Sequence, residues 1–294
     1  MTESIMKKHD YVSVFDHRIN FVGESPLWHP LRNTLYWVDF PNNLLMSRKD
    51  NDVNQVKLSE MATAIGWIDE AHLLLAKPTG LYRYHIDSQS HDLIVAIEEN
   101  NDELRSNDGR ADPWGGFWLG TMSTSALANA GSIYRWYQHE VRCLVKNITI
   151  INAICFDKSR HRAYFADSAQ KQLYMIKLNE QGWPISEPER FYDFSLANET
   201  PDGAVVDGHG NLWIALWDSA ALVCLNPKGE EIDRINVETL RPTCPAFGGQ
   251  QSEWLFITSA QYELENTPFE HIPHGTTLKF KHKTLGLFEP RVII

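Results

Sequence analysis

Six short stretches decide the fold: Leu35–Phe40 (LYWVDF), Leu73–Pro78 (LLLAKP), Phe117–Met122 (FWLGTM), Ala163–Ser168 (AYFADS), Leu212–Trp217 (LWIALW) and Leu255–Ala260 (LFITSA). Each is an apolar-aromatic run ending in small or polar residues, the composition of a short buried strand. They begin 38 to 49 residues apart, about 44 on average. Several are followed by a second run of the form x-Leu/Ile-Tyr-x-apolar, as at Gly80–Tyr84, Ser132–Trp136 and Gln172–Ile176. Turn chemistry precedes them, for example Asp112-Pro-Trp-Gly-Gly116 and Asp207-Gly-His-Gly-Asn211, so the pattern predicts hairpins and not helices. A period of roughly 40–50 residues containing about four short strands is that of a propeller blade. The expectation is an all-β, six-bladed β-propeller forming one domain over residues 1–294; a β-sandwich pair or another all-β array is the competing architecture. Residues 11–20 (YVSVFDHRIN) partly alternate and are expected to add a strand that closes the ring, in a blade the sequence does not specify. The aromatics on the repeated strands, Tyr36, Trp37, Phe117, Trp118, Tyr164, Phe165, Trp213 and Trp217, are expected to pack blade against blade.

The rest of the chain sets limits on function. With 294 residues, 43% hydrophobic and 22% charged, it is long enough for a substantial core and too ordinary in composition for extended disorder or a fibre. The formal charge of −11 repels phosphate backbones, which excludes nucleic acid as a natural partner. Neither a signal-peptide run nor a stretch of membrane-spanning length is present, so a cytoplasmic protein with no membrane partner, monomeric or homodimeric, is expected. Cys143, Cys155, Cys224 and Cys244 lie far apart; they read as buried thiols, not as a disulfide framework or a zinc site.

Polar residues that do not fit the strand pattern recur at similar places ahead of the repeated strands. Glu24 and Asn152 lie 11 residues before theirs, and Asn107 and Asp202 lie 10 before theirs. In a propeller such positions converge on one mouth of the central channel. Glu24, Asn152 and Asp202 all offer oxygen donors, a set suited to a hard divalent cation; taken singly, each could equally cap a turn.

The segments that carry these residues resemble the senescence marker protein/gluconolactonase/regucalcin family across nearly the whole chain. The resemblance rests on Gly23-Glu-Ser-Pro-Leu-Trp28, on Arg105-Ser-Asn-Asp-Gly109 with Asp112–Met122, on Pro201-Asp-Gly203, and on the segment from Thr243 to Ala260. It implies a six-bladed propeller holding one divalent metal ion (Ca2+, Zn2+, Mn2+ or Mg2+) through Glu24, Asn152 and Asp202, and hydrolysing sugar lactones such as gluconolactone, xylonolactone or arabinonolactone to aldonic acids. Asp202 is then the candidate base. A carboxylate bound to a dication is a poor base, so either Asp202 shifts its coordination or metal hydroxide attacks directly. Arg105 and Asn107 are the candidate substrate contacts, the guanidinium offering forked donors and the amide both donating and accepting; a surface ion pair with Glu103 is the alternative for Arg105. Asp108 is expected to orient Asn107 or a metal ligand, or merely to form an Asp-Gly turn.

Two departures stand out. The family's usual Ser-Asn-Gly-Leu reads Ile151-Asn-Ala-Ile154, so Ala153 must manage without glycine's freedom. Ser123, Thr124 and Ser125 stand where regucalcins carry acidic residues, which removes a carboxylate expected at the substrate. A non-catalytic calcium-binding propeller and a hydrolase of another ester or lactone remain open. No H-E-x-x-H, G-x-S-x-G or Walker-type motif occurs, and His271-Ile-Pro-His274 reads as a loop insertion in the last blade.

Overall fold

The computed structural model describes residues 12–282 and 286–294. Among the described residues twenty-four strands form six four-stranded antiparallel sheets, the six blades of a propeller. Each repeated run is the second strand of its blade. Ahead of it lies an innermost strand: Gly23–His29, Ala64–Trp67, Leu104–Ala111, Ile151–Asp157, Thr200–Val206 and Pro242–Gly248 in blades 1 to 6. The ring is closed by Ser13–Asp16, which pairs with Thr277–Lys281 as the outer strand of blade 6, with Val14 opposite Leu278. Of the segment expected to close the ring, Tyr11 lies outside the described residues.

The core is divided into six clusters, one for each pair of neighbouring blades. This follows from the strand pattern: both faces of each blade meet a neighbour, so the second strands are apolar on both sides, as in Thr34–Asp39, where every residue is buried. Aromatic rings bridge the seams. Trp28 of blade 1 stacks on Phe256 of blade 6 at 5.5 Å, and Trp118 of blade 3 meets Phe156 of blade 4 edge-on at 5.2 Å. Trp217 differs from the expectation: at the inner end of its strand it lines the central cavity. Cys143 differs as well. Cys155, Cys224 and Cys244 are buried, but Cys143 is exposed because it sits on an outermost strand, Glu140–Ile148.

The loop from Tyr262 to Gly275 is indeed an insertion between two strands of blade 6. His274 is buried and accepts a hydrogen bond from the Leu240 N–H at 3.3 Å. Asp207 is the hub of its turn, accepting from the N–H groups of His209 and Asn211 at 2.8 and 2.9 Å. Among the described residues no helix is long and apolar enough to cross a membrane.

Candidate catalytic and metal-binding site

Five of the six innermost strands carry a β-bulge at the same level, two residues facing one on the second strand. The bulge pairs are Ser25-Pro26, Asn107-Asp108, Ala153-Ile154, Asp202-Gly203 and Thr243-Cys244. A bulge re-aims side chains, and here it turns them toward the axis. The bulges also explain why the sequence spacings fall into two classes. Glu24 and Asn152 are the last paired residues before their bulges, whereas Asn107 and Asp202 are the first residues within theirs. Ser25 and Ala153 adopt left-handed backbone, with φ of 49° and 58°, so in blades 1 and 4 the residue before the bulge faces the cavity that the bulge residue itself faces in blades 3 and 5. Ala153 holds this conformation with a Cβ, at a cost of about 1–2 kcal/mol, and its methyl is buried between blades 4 and 5. In Pro201-Asp-Gly203 the glycine is required by packing, since a Cβ at position 203 would lie 2.4 Å from the Cys244 sulfur.

Glu24, Arg105, Asn107, Asp108, Asn152 and Asp202 all line one cavity of about 610 Å3. Their hydrogen bonds form a chain across three blades. Arg105 Nη1 donates to Asn107 Oδ1 at 2.7 Å; Asn107 Nδ2 donates to Asn152 Oδ1 at 2.9 Å; Asn152 Nδ2 donates to Ser168 Oγ at 2.9 Å; and Ser168 Oγ donates to the carbonyl of Pro201, beside Asp202, at 2.6 Å. The Asn152 amide is therefore fixed with its oxygen toward blade 3, and that oxygen keeps a second lone pair. Arg105 also lies over the Phe40 ring, 5.4 Å from its centre; among the described residues it makes no ion pair with Glu103. Asp108 holds no hydrogen bond to Asn107. Its carboxylate accepts from the N–H groups of Gly109 at 2.7 Å and Ile154 at 2.8 Å, so it braces the bulge that follows Asn152.

Three positioning residues were not foreseen as such. Ser168 is the link just described. Asp39 accepts from the N–H groups of Phe21 and Val22 at 3.1 and 3.0 Å, fixing the approach to Glu24. Asp167 does the same for Thr149 and Ile150 at 3.0 and 3.2 Å, ahead of Asn152. The signal lay in the repeats, where LYWVD and AYFAD end alike.

The electrostatics of the cavity are those of carboxylates short of a cation. Burial, then the charge of Asp108, pushes Glu24 up to about 8, against the opposing pull of the Ser25 N–H, Arg110 and Arg105. Asp202 is held well above the ordinary carboxylate range by burial, then by Glu24 and Asp108. Asp108 is also raised by burial. Among the described residues no three His, Cys, Asp or Glu side chains gather closely enough to hold a metal by themselves. The set here is two carboxylates and an amide oxygen, whose hardness and unmet charge fit a divalent cation. The other wall is apolar, with Phe21, Phe40, Met122, Trp217 and Tyr262. Ser123 and Ser125 bond to each other at 3.0 Å, and among the described residues no acidic side chain from this turn lines the cavity.

A family model described as SMP-30/Gluconolactonase/LRE-like region matches residues 22–261. The 6-deoxy-6-sulfogluconolactonase of Pseudomonas putida is 30% identical over 244 residues, covering 82% of this chain and 84% of that protein. The L-arabinolactonase of Azospirillum brasilense is 29% identical over 263 residues, covering 87% and 86%. Among solved structures, the calcium-binding protein regucalcin of Agrobacterium tumefaciens superposes with a TM-score of 0.93 at 30% identity, covering 97% of this chain and 98% of that one. With its six blades, its bulged inner strands and this match over most of its length, the chain belongs to the SMP-30/gluconolactonase/LRE-like family.

Proposed function

We propose that the protein is a divalent-metal-dependent hydrolase that opens sugar lactones to aldonic acids, the whole chain serving as one propeller domain. The observation that carries this reading is the pairing, in one cavity, of two carboxylates, Asp202 buried and Glu24 half-buried, whose proton affinity is raised by burial and mutual repulsion, with the forked donor of Arg105. Glu24, Asn152 and Asp202 would hold the cation, which when bound polarises a carbonyl and offsets the carboxylate charge. Arg105 binds ring hydroxyls or the forming carboxylate through the donors it does not spend on Asn107 and Ser106. Trp217 and Phe40 offer flat apolar surface to the C–H face of the ring.

Asp202 is the candidate base; because a carboxylate bound to a dication is a poor one, it would take the proton from water with an oxygen that the cation leaves free. As the water oxygen bonds to the carbonyl carbon, one of its protons moves to Asp202; the ring C–O bond then breaks and the departing ring oxygen takes that proton back from Asp202, leaving a hydroxyl and the new carboxyl group. Asp108 and Ser168 hold Asn152 and Asp202 in place during these transfers. The similarity to lactonases acting on gluconate- and arabinose-derived rings supports the aldonolactone class. A calcium-binding propeller without turnover is the second reading, favoured by the similarity to the calcium-binding protein of A. tumefaciens.

Lactone turnover by the wild type separates the two readings, and Asp202→Asn tests the residue assignment. On the hydrolase reading it lowers turnover by about 10³-fold or more, even at saturating cation. Full activity in this variant would remove Asp202 from the chemistry.

A further inference from the structure

Beneath the cavity the channel holds a second charged pair that the proposed reaction does not use. Arg110 lies two residues beyond Asp108 on the innermost strand of blade 3, and its guanidinium forms a buried ion pair with Glu289. Glu289 comes from the segment 286–294, which crosses the ring at the ends of the inner strands remote from the cavity. Gly286 bridges Asp207 of blade 5 and donates to the Ser252 carbonyl of blade 6 at 2.9 Å. The Trp67 indole N–H of blade 2 donates to the Glu289 carbonyl at 2.8 Å. The Val292 and Ile293 N–H groups donate to Trp67 and Gly115 carbonyls, each at 2.9 Å, and Val292 is wholly buried. The segment thus spans from one side of the ring to the other and carries Glu289 to the axis.

Arg110 can act in two directions. On one side, two residues back along the same strand, stands Asp108, which lines the cavity with Glu24; on the other it meets Glu289, and Nη2 also points at the Cys244 sulfur at 3.6 Å. A buried guanidinium left without Glu289 would take its counter-charge from the nearest carboxylates, those of the cavity, and would oppose a second cation there.

We propose that Glu289 is a positioning residue for the cation site: by holding the Arg110 charge at the far end of the channel, it keeps Asp108 and Glu24 from being neutralised internally and so sets the site's affinity for a divalent cation. This rests on the metal reading given above, and the test is chosen to tell the two apart. The full chain, stripped with chelator, is titrated calorimetrically with CaCl2 and with MnCl2, and its fold is checked by circular dichroism. Glu289→Gln is expected to weaken cation binding by about tenfold, and Arg110→Met to tighten it several-fold. The double variant Arg110→Met/Glu289→Gln, which removes both charges, is expected within about twofold of the wild type. A purely structural clamp would instead lower melting temperatures and leave the dissociation constants alone. A folded Glu289→Gln protein with wild-type affinity overturns the proposal. Should that variant not fold, unchanged affinity in Arg110→Met overturns it equally. A wild type that binds neither cation overturns both this proposal and the metal reading, whereas a wild type that binds with indifferent variants overturns this one alone.

Discussion

Replacing Glu24 by Gln should make the cation-free protein more stable while abolishing its capacity for the cation. The Glu24 carboxyl stands at about 8 in the folded chain against 4.5 for the free side chain. Between those values the native state binds more protons than the unfolded state, so stability declines as pH rises. The favourable contribution is fully present below about pH 4.5 and is lost as pH climbs through 8. At about 1.4 kcal/mol for each pH unit, the full difference is ~5 kcal/mol. Glu24 retains some solvent exposure and shares its titration with Asp202, so about half of this, ~2 kcal/mol, is the reasonable measure of its repulsion at pH 8.5. Glutamine keeps the shape and can still accept from the Ser25 N–H, which reaches Glu24 at 3.0 Å, without the charge. Urea unfolding of chelator-treated wild type and Glu24→Gln should therefore coincide near pH 4.5 and differ by ~2 kcal/mol in favour of the variant at pH 8.5. Added cation should reverse the order, because only the wild type gains binding energy. A variant less stable than the wild type at pH 8.5 without cation would refute the reasoning.

Arg105→Ala should raise KM about tenfold or more without weakening cation binding, since its side chain bonds to Asn107 and Ser106 and loss of a charge that Glu24 feels favours a cation; steady-state kinetics beside calorimetry would show the split, and unchanged KM would dismiss Arg105 as a substrate contact. Asp167→Ala should lower stability by about 2–3 kcal/mol, because the N–H groups of Thr149 and Ile150 lose their acceptor. It should also weaken cation binding through Asn152; denaturant titration and calorimetry test the two effects separately.

The repeats made the blades legible because each second strand is buried on both faces, and such runs stand out from their turns. Glu24, Asn107, Asn152 and Asp202 were legible for a related reason: polar residues recurring at a fixed lead before an apolar strand have few places to go except the axis. What the spacing could not reveal is the bulge. The offsets of 11 and 10 residues look like noise until the left-handed Ser25 and Ala153 show two bulge conformations delivering side chains to one cavity. Ser168, Asp39 and Asp167 were visible only as strand ends, and their roles depend on partners 16 to 33 residues away. Glu289 lies beyond the reach of any local pattern: its segment has no period, and its partner Arg110 is 179 residues distant. Trp217 and Cys143 depart from the repeat pattern because strand membership does not carry strand position, and the inner end or outer edge of a blade exposes what its middle buries.

The central claim is that a divalent cation and this cavity together open aldonolactones. Its most direct test is acid release, followed with a pH indicator, from a panel of aldonolactones by chelator-treated protein before and after Ca2+, Mn2+, Mg2+ or Zn2+ is restored. Release no faster than the uncatalysed rate is expected after chelation, with recovery on at least one aldonolactone with at least one cation. Failure of every cation to restore release on any lactone, or full activity in the stripped protein, would contradict it.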